Sequence, residues 1–244
     1  MQYSQNACLI EIFRNEISLL KAPPNIYYIP NFITEEEEQY LLHQVNSAPK
    51  PKWTQLSNRR LQNWGGLPHP KGMVAEEIPQ WLKIYTEKVA ALGLFGDKMP
   101  NHILVNEYLA GQGIMPHEDG PLFFPVVSTI SLGSHTVLEF YRPLNAKNEY
   151  REDVPEQTSF DDRFVTSILL EPRSLVFVCD DMYKTYLHGI SERTFDTITE
   201  SIANIELCEM AKSVNDKLTR TSRVSLTIRH VPKVLKAKIM FGKK

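Results

Sequence analysis

Hydrophobic positions in the first hundred residues recur with helical spacing in two places. Thr34 followed by Glu37 forms a capping box, which predicts a helix over residues 35–46. After Pro79, hydrophobic side chains recur every three or four residues, which predicts a second helix. These side chains are Trp81, Leu82, Tyr85, Val89 and Leu92.

Beyond residue 101 the pattern changes to short runs rich in β-branched residues, separated by Gly and Pro. The predicted strands cover residues 102–108, 126–132, 136–141, 167–170, 174–178 and 223–231. Short strands behind N-terminal helices predict a mainly β fold, a barrel or jelly roll. We expect one domain, with helices and a substrate lid in 1–100, a β core in 101–232 and a basic tail in 233–244.

Two stretches interrupt this pattern. Residues 142–164 are charged and polar, which predicts a long surface loop. Residues 194–218 place hydrophobic side chains at a spacing that predicts an amphipathic helix, with a mobile insertion as the alternative. The side chains in question are Phe195, Ile198, Ile202, Ile205 and Met210.

The chain has 244 residues, 42% of them hydrophobic, which suits one domain with a substantial core. Three widely spaced cysteines exclude a disulfide scaffold and indicate a reducing compartment. The N-terminal hydrophobic stretch carries Glu11, Arg14 and Glu16, so we expect no signal peptide. The longest uncharged stretch, 120–138, contains two prolines and several polar residues, so we expect no membrane span. We therefore expect a monomeric protein of the cytoplasm and nucleus.

The charge is unevenly distributed although the net charge is only −2. No acid follows Asp216, whereas nine Lys and Arg do, so the preceding chain holds 18 basic against 29 acidic residues, or −11. A second acid-free stretch spans residues 39–75 and contains five basic residues. Two basic regions on an acidic body indicate a polyanionic partner such as nucleic acid, with a solvated basic tail as the alternative.

The segment 50–66 combines basic and aromatic side chains, and it is the candidate substrate lid. Basic groups can hold phosphates while aromatic rings stack on bases, so we expect a basic rim at the mouth of the barrel. The alternative is that both tryptophans belong to the core. The candidate substrate residues are Lys50, Lys52, Trp53, Arg59, Arg60 and Trp64.

His117-Glu118-Asp119 is the first candidate for metal chemistry. In an extended segment His117 and Asp119 point to the same side and can bind one metal ion, while Glu118 points away. His188, which follows a predicted strand, is the best candidate for a third ligand. Two histidines and one carboxylate are the ligand set of non-haem Fe(II) oxygenases. We expect the three ligand atoms to converge to roughly 3–4 Å.

Two polar strand faces accompany this candidate site. Asn106 and Tyr108 share one face of their strand, just before His117. Arg223, Ser225, Thr227 and Arg229 share one face of the last strand, opposite three hydrophobic residues. Buried arginines need an anionic partner, and a dicarboxylate would suit them. A solvent-facing polar strand is the alternative.

Several motifs follow one another in a fixed order along the chain. They are Asn106-x-Tyr108, His117-x-Asp119, Pro125 to Gly133, Leu170 to Leu175, His188-Gly189-Ile190, and the strand with Arg223 and Arg229 six residues apart. Taken in this order, these motifs resemble the AlkB family of Fe(II)- and 2-oxoglutarate-dependent dioxygenases. Within that family, three runs are most similar to the subfamily of the sixth eukaryotic AlkB homologues: Trp53 to Leu56, Leu61 to Pro70 and Ile114 to Pro121.

The resemblance implies a double-stranded β-helix that holds Fe(II) and uses 2-oxoglutarate and O2 as cosubstrates. By position, His117, Asp119 and His188 would bind iron. The cosubstrate would be held by Asn106, Tyr108 and Arg223, with Arg229, Ser225 and Thr227 beside it. The implied activity is oxidative demethylation of alkylated bases in DNA or RNA, with succinate, CO2 and formaldehyde as products. A protein substrate, or a nucleic-acid-binding module with a vestigial metal site, are the alternatives.

Overall fold

The computed structural model of the protein describes residues 25–144, 159–211 and 213–235. Most of the predicted surface loop at 142–164 and the lysines from 236 onward lie outside the described residues. No helix in the described parts of the chain is long and hydrophobic enough to cross a membrane.

Both predicted N-terminal helices are confirmed. α1 spans Glu35–Asn46 and begins with the capping box, in which the Thr34 hydroxyl accepts from the Glu37 backbone N–H. α2 spans Gln80–Ala90 and follows Pro79. Their buried faces, including Leu41 and Leu82, pack into one hydrophobic core with the outer face of a β-sheet.

That sheet has seven strands, and the pairing between neighbours is antiparallel throughout. In chain order the strands are β1 (Ile26–Ile29), β2 (Thr54–Gln55), β3 (Arg60–Trp64), β6 (His102–Tyr108), β8 (Val126–Gly133), β11 (Leu175–Cys179) and β15 (Arg223–Arg229). Their order across the sheet is β1-β11-β8-β15-β6-β3-β2.

A second sheet of four strands completes the double-stranded β-helix. Its strands are β7 (Ile114–His117), β9 (Thr136–Tyr141), β10 (Phe164–Leu170) and β12 (Leu187–Ile190), arranged in the order β10-β9-β12-β7. The strands predicted from residue 102 onward are therefore confirmed, with ends that differ by at most three residues.

The remaining elements are short. β4 (Gly66–Leu67), β5 (Met73–Ala75) and β16 (Val234–Leu235) form a three-stranded sheet, and β13 (Phe195–Thr197) pairs with β14 (Lys217–Thr219). The short helices are α3 (Phe160–Arg163) and α4 (Asp180–Lys184), with 3-10 turns at Lys50–Lys52 and Ile205–Leu207.

Strand β15 shows why the two faces of the large sheet differ. All seven residues of β15 are buried. Val224, Leu226 and Ile228 belong to the core under α1 and α2. Arg223 and Arg229 lie on the other face, where the two sheets enclose a cavity. The period of two predicted from the sequence is therefore confirmed.

Two sequence-based expectations about architecture are wrong. The β core is not confined to residues 101–232, because β1, β2 and β3 complete the seven-stranded sheet. The segment 194–218 does not form an amphipathic helix but contains the β13–β14 pair and a 3-10 turn. Ile198 and Ile202, spaced as in a helix, instead pack in a small cluster with Val137 and Leu169.

A buried ion network fixes the β13–β14 pair to the sheets. Arg220 donates to both oxygens of Asp196 at 2.7 Å, and the Nε2 atom of His135 lies 3.1 Å from Oδ2 of Asp196. Arg193, just beyond β12, forms an ion pair with Glu139. Because Asp196 is fully buried, the loss of its charge would leave Arg220 without its carboxylate partner.

We predict that Asp196→Asn lowers the free energy of unfolding by roughly 3–5 kcal/mol, the usual cost of breaking a buried ion pair. Urea denaturation at pH 7 measures this change. Asp97→Asn, which removes an exposed carboxylate paired with Lys98, is the control and should leave the urea midpoint unchanged.

The pH dependence of the free energy of unfolding gives a second test of the Asp196 ion pair. Burial opposes ionisation of this group, but hydrogen bonds from His135 and Arg220 outweigh it and lower the pKa of Asp196 to about 2. An unfolded Asp has a pKa of about 3.9, so the stabilisation is present above that pH and is lost as the pH falls toward 2. The wild type should lose more stability than Asp196→Asn between about pH 4 and 2, and equal losses would contradict the assignment.

Candidate functional site

The three candidate metal ligands meet between the two sheets. His117 ends β7 and lies directly opposite His188 on β12, with ring centroids 4.6 Å apart. Asp119 follows two residues later. One ligand atom from each residue lies within 4.8 Å of the others, a looser limit than the 3–4 Å expected. Among the described residues, this is the single group of three or more His, Cys, Asp or Glu side chains with such spacing.

Gly189 explains how β12 and β7 approach closely enough to place the two histidines together. A Cβ atom at position 189 would lie 2.9 Å from the Pro116 nitrogen and 3.0 Å from the Ile114 oxygen, both on β7. Any larger residue would therefore push β7 away from β12. The glycine in the His188-Gly189-Ile190 motif thus has a packing role beside the candidate metal ligand.

The chemical state of these side chains fits a metal ion. The Oδ2 atom of Asp119 is buried and has no hydrogen-bond partner. Nδ1 of His117 lies 2.9 Å from the Met115 carbonyl oxygen, which leaves Nε2 free to bind a metal. Burial lowers the pKa of His188 to about 4, so its ring is neutral at pH 7, as a ligand must be.

Arg229 positions the carboxylate. Its guanidinium forms an ion pair with Oδ1 of Asp119 and lies 4.5 Å from the centre of the Phe123 ring. On the neighbouring strand, His102 lies directly opposite Arg229, and its Nε2 atom is 3.3 Å from the side-chain oxygen of Asn63. Burial, and then the charge of Arg229, lower the pKa of His102 to about 3, so it adds no positive charge at pH 7.

A cavity of about 250 Å³ contains this group. Apolar side chains line part of it, including Leu138, Leu170, Val176 and Val178. All nine residues predicted to bind metal or cosubstrate line it as well. They are His117, Asp119, His188, Asn106, Tyr108, Arg223, Ser225, Thr227 and Arg229.

Arg223 lies at the other end of β15 from Arg229, directly opposite Tyr108. It donates to the Ser131 hydroxyl at 2.9 Å, while its Nε atom is buried without a partner. Burial lowers the pKa of Arg223 to about 10, so it still carries its charge at pH 7. Within the described parts of the chain no carboxylate pairs with it, and a bound carboxylate would satisfy it.

The predicted basic rim is not assembled as expected. Arg60 and Trp64 lie on the helix-covered face of β3, because they are opposite Glu107 and Ile103 of β6. Arg60 forms an ion pair with Glu107 and stacks on Trp53 at 4.0 Å.

The other members of the predicted rim are similarly engaged or lie at the surface. Lys52 lies 4.2 Å from the Trp64 ring centre and 3.7 Å from Glu76, and Lys50 is exposed at a 3-10 turn. Both Trp53 and Trp64 pack against the main hydrophobic core, as the alternative from the sequence held.

Arg59 differs from its neighbours in the candidate lid because it lines the cavity. It donates to Oδ1 of Asn106 at 3.2 Å. Its charge and its position in the chain had grouped Arg59 with the substrate residues, and neither indicated that this side chain would contact a predicted cosubstrate residue. The structure therefore brings one member of the predicted rim to the candidate metal site.

Sequence reasoning missed two polar residues of β8 and misjudged Glu118. Thr129 lines the cavity, and Ser131 accepts from Arg223. The alternation of β8 places Thr129 and Ser131 on the same face of the strand. Which face lines the cavity depends on the register with β15, and the sequence does not show that register. Glu118, expected to point away, also lines the cavity, because β7 ends at His117 and the alternation of a strand stops there.

Comparison with known proteins matches this geometry. Residues 53–229 match the family model described as 2OG-Fe(II) oxygenase superfamily. The chain is 53% identical, over 98% of its length and 99% of the relative's, to a Danio rerio protein named "Probable RNA/DNA demethylase ALKBH6". It is 28% identical, over 84% of both chains, to "Uncharacterized protein L905" of Acanthamoeba polyphaga mimivirus. The solved structure of OsALKBH1 shares the fold, with a TM-score of 0.52 at 15% identity over 86% of this chain and 98% of that one.

The fold and site thus define an oxygenase whose cofactors are Fe(II), 2-oxoglutarate and O2. The chain belongs to the 2OG-Fe(II) oxygenase superfamily and, within it, to the AlkB homologues, with the ALKBH6 sequence of Danio rerio as a relative over nearly its whole length. The expected jelly-roll fold and enzyme class are confirmed. The roles of individual residues remain predictions.

We predict that His188→Ala weakens metal binding by more than about 100-fold, because it removes a direct ligand. Loss of a residue that only hydrogen-bonds to a ligand already costs up to roughly 100-fold. Titration calorimetry with Mn(II), under anaerobic conditions, measures this affinity. His230→Ala is the control, because that half-buried ring contacts the Met99 carbonyl oxygen and does not line the cavity. Equal metal affinity of the two variants would remove His188 from the site.

We predict that Arg223→Ala weakens 2-oxoglutarate binding by roughly 3–5 kcal/mol, because a buried carboxylate would lose its partner. Calorimetric titration of the Mn(II)-loaded protein with 2-oxoglutarate measures the change in affinity. Arg223→Lys keeps the charge but not the two-pronged geometry, so its affinity should fall between those of the wild type and Arg223→Ala. Unchanged affinity in Arg223→Ala would contradict the assignment.

Proposed function

We propose that this oxygenase demethylates alkylated bases in RNA or DNA. The observation that carries the proposal is the 53% identity, over nearly the whole chain, to a relative whose name describes an RNA/DNA demethylase. Three further relatives, named as ALKBH8 tRNA methyltransferases, match at 23–27% identity, with this chain spanning about a third or less of their length.

The chain's own residues have separable tasks in such a reaction. When bound, iron, 2-oxoglutarate and O2 would supply the oxidation of a methyl C–H bond, and the resulting N-hydroxymethyl group would break down to formaldehyde and the unmethylated nucleobase. His117, Asp119 and His188 would hold the metal, and Arg229 orients the Asp119 carboxylate. The apolar walls of the cavity exclude water from the reacting atoms. A base must leave its stack to reach such an enclosed site.

The experiment is product analysis with purified protein, Fe(II), 2-oxoglutarate and air. Methylated and unmethylated RNA and DNA oligonucleotides are compared with a methylated peptide, and formaldehyde and succinate are quantified together. We expect formaldehyde from methylated oligonucleotides alone, and none from Asp119→Ala. Formaldehyde from the peptide alone would favour a protein substrate, and oligonucleotide binding without either product would favour a vestigial site.

Two exposed lysines beyond the Arg229 end of the large sheet are candidates for phosphate contacts. β16 pairs in parallel with β5, and this pairing brings Lys233 close to the turn that contains Lys71. Both side chains are exposed, and the Lys233 ammonium donates to the Pro70 carbonyl at 3.4 Å. Lys233 is four residues beyond Arg229, so the chain keeps it within about 14 Å of that residue. Phosphates of a substrate could therefore bind here.

We predict that Lys71→Gln/Lys233→Gln weakens oligonucleotide binding and reduces its salt dependence. If each lysine contacts one phosphate of a single strand, the slope of log affinity against log salt should become shallower by about 1.4. Fluorescence anisotropy over a range of salt concentrations measures the slope.

Lys83→Gln/Lys217→Gln is the control for this pair, because it removes the same charge from exposed lysines of α2 and β14. An identical slope for both double variants would remove the surface at Lys71 and Lys233 from the nucleic-acid interface, whatever the substrate.

A further inference from the structure

A tight hairpin formed by β2 and β3 connects the two sheets beside the cavity. In its turn, the Leu56 backbone donates to the Arg59 carbonyl at 2.9 Å, and the Gln55 side chain donates to the Leu56 carbonyl at 2.7 Å. Its base belongs to the seven-stranded sheet, since β3 pairs with β6. At its tip Asn58 donates to Glu192, which lies just beyond β12 of the other sheet. The hairpin therefore reaches from one sheet to the other.

Arg59 lies in the turn of this hairpin, just before β3, and points inward. Arg60, the first residue of β3, is on the outer face, whereas Leu61 lies opposite Asn106, a cavity residue, on the inner face. From the turn, Arg59 lines the cavity and donates to Oδ1 of Asn106 at 3.2 Å. It forms no ion pair with a carboxylate among the described residues.

The cavity thus contains two guanidinium groups that no carboxylate of the described chain neutralises. Arg229 is neutralised by Asp119, while Arg59 and Arg223 are not. Both lie near Tyr108: burial raises the pKa of this phenol, and the charges of Arg223 and Arg59 oppose that rise. Two guanidinium groups near one tyrosine can therefore reach a single bound anion, and a guanidinium pairs well with a carboxylate.

We propose that Arg59 binds a carboxylate of 2-oxoglutarate, and that this contact holds the hairpin of residues 55–60 closed over the cosubstrate. Asn106 shares the guanidinium with the ligand and fixes its direction. The Asn58–Glu192 contact secures the hairpin tip against the sheet that carries His188. Cosubstrate binding then organises this side of the cavity before the substrate enters.

The first test compares neighbouring arginines. Arg59→Gln and Arg60→Gln remove the same charge from the same hairpin, but Arg60 lies on the outer face beside Glu107. Titration of the Mn(II)-loaded proteins should show 2-oxoglutarate affinity lowered about 10- to 100-fold in Arg59→Gln, since the lost hydrogen bond joins two charged groups. Arg60→Gln should leave it within about threefold of the wild type, because its partner lies outside the cavity. Equal affinities in the two variants would overturn the proposal.

The second test follows the hairpin itself by hydrogen exchange of peptides covering residues 55–60. With Mn(II), 2-oxoglutarate should slow exchange there in the wild type and in Arg60→Gln, but not in Arg59→Gln at saturating cosubstrate. Exchange that slows equally in Arg59→Gln would show that the hairpin closes without this contact, and would overturn the coupling.

Neither readout uses the oxidised substrate, so the result is independent of the proposed demethylation. A contact between Arg59 and a nucleic-acid phosphate is the alternative, and the same variants distinguish it. Weaker oligonucleotide binding by Arg59→Gln, together with unchanged 2-oxoglutarate affinity, would overturn the cosubstrate contact and assign Arg59 to the substrate. If Arg59→Gln loses 2-oxoglutarate affinity but the wild type releases no formaldehyde from any oligonucleotide, the role of Arg59 in cosubstrate binding stands. Only the proposed demethylation is then rejected.

Discussion

The burial of two arginines on one face of β15 is the constraint on which the structure depends. Arg223 and Arg229 are both buried, and removal of a guanidinium from water is costly unless its charge and its N–H groups find partners. The charge of Arg229 is paired with Asp119, whereas Arg223 contacts only a serine hydroxyl, and the Nε atom of each arginine is buried without a partner. The cavity between the sheets is therefore polar and cationic at its Arg223 end, and it requires an anion there.

The opposite face of the same strand explains why those arginines cannot turn to water. Val224, Leu226 and Ile228 pack under α1 and α2, so the helices cover one face of the sheet while the second sheet covers the other. A strand enclosed in this way fixes its register, because a shift by one residue would exchange arginines and hydrophobic residues. The N-terminal helices consequently contribute to the site without contacting it.

The sequence could predict features that depend on the alternation of a single strand, such as which of its side chains face the cavity. Alternation in residues 102–108 and 223–229 predicted which side chains face the cavity, and the His117-x-Asp119 spacing found two candidate ligands. It could not predict features that depend on partners distant in sequence. Ile198 and Ile202 have helical spacing, but the buried Asp196–Arg220 ion pair holds their segment beside a strand pair.

In the candidate lid, the sequence likewise could not predict the direction of individual side chains. Charge density in residues 50–66 indicated a phosphate-binding rim, but charge carries no information about which face a side chain occupies. Pairing of β3 with β6 places Arg60 on the helix side, whereas Arg59, in the turn just before β3, reaches the cavity. Adjacent arginines thus receive opposite environments, and the folded hairpin distinguishes them where charge does not.

The most direct test of this account is an anaerobic crystal structure with Mn(II) and 2-oxoglutarate. We expect the metal bound by His117, Asp119 and His188, and a cosubstrate carboxylate bound by Arg223. A metal bound elsewhere, or a cosubstrate that leaves Arg223 in contact with Ser131 alone, would contradict the account.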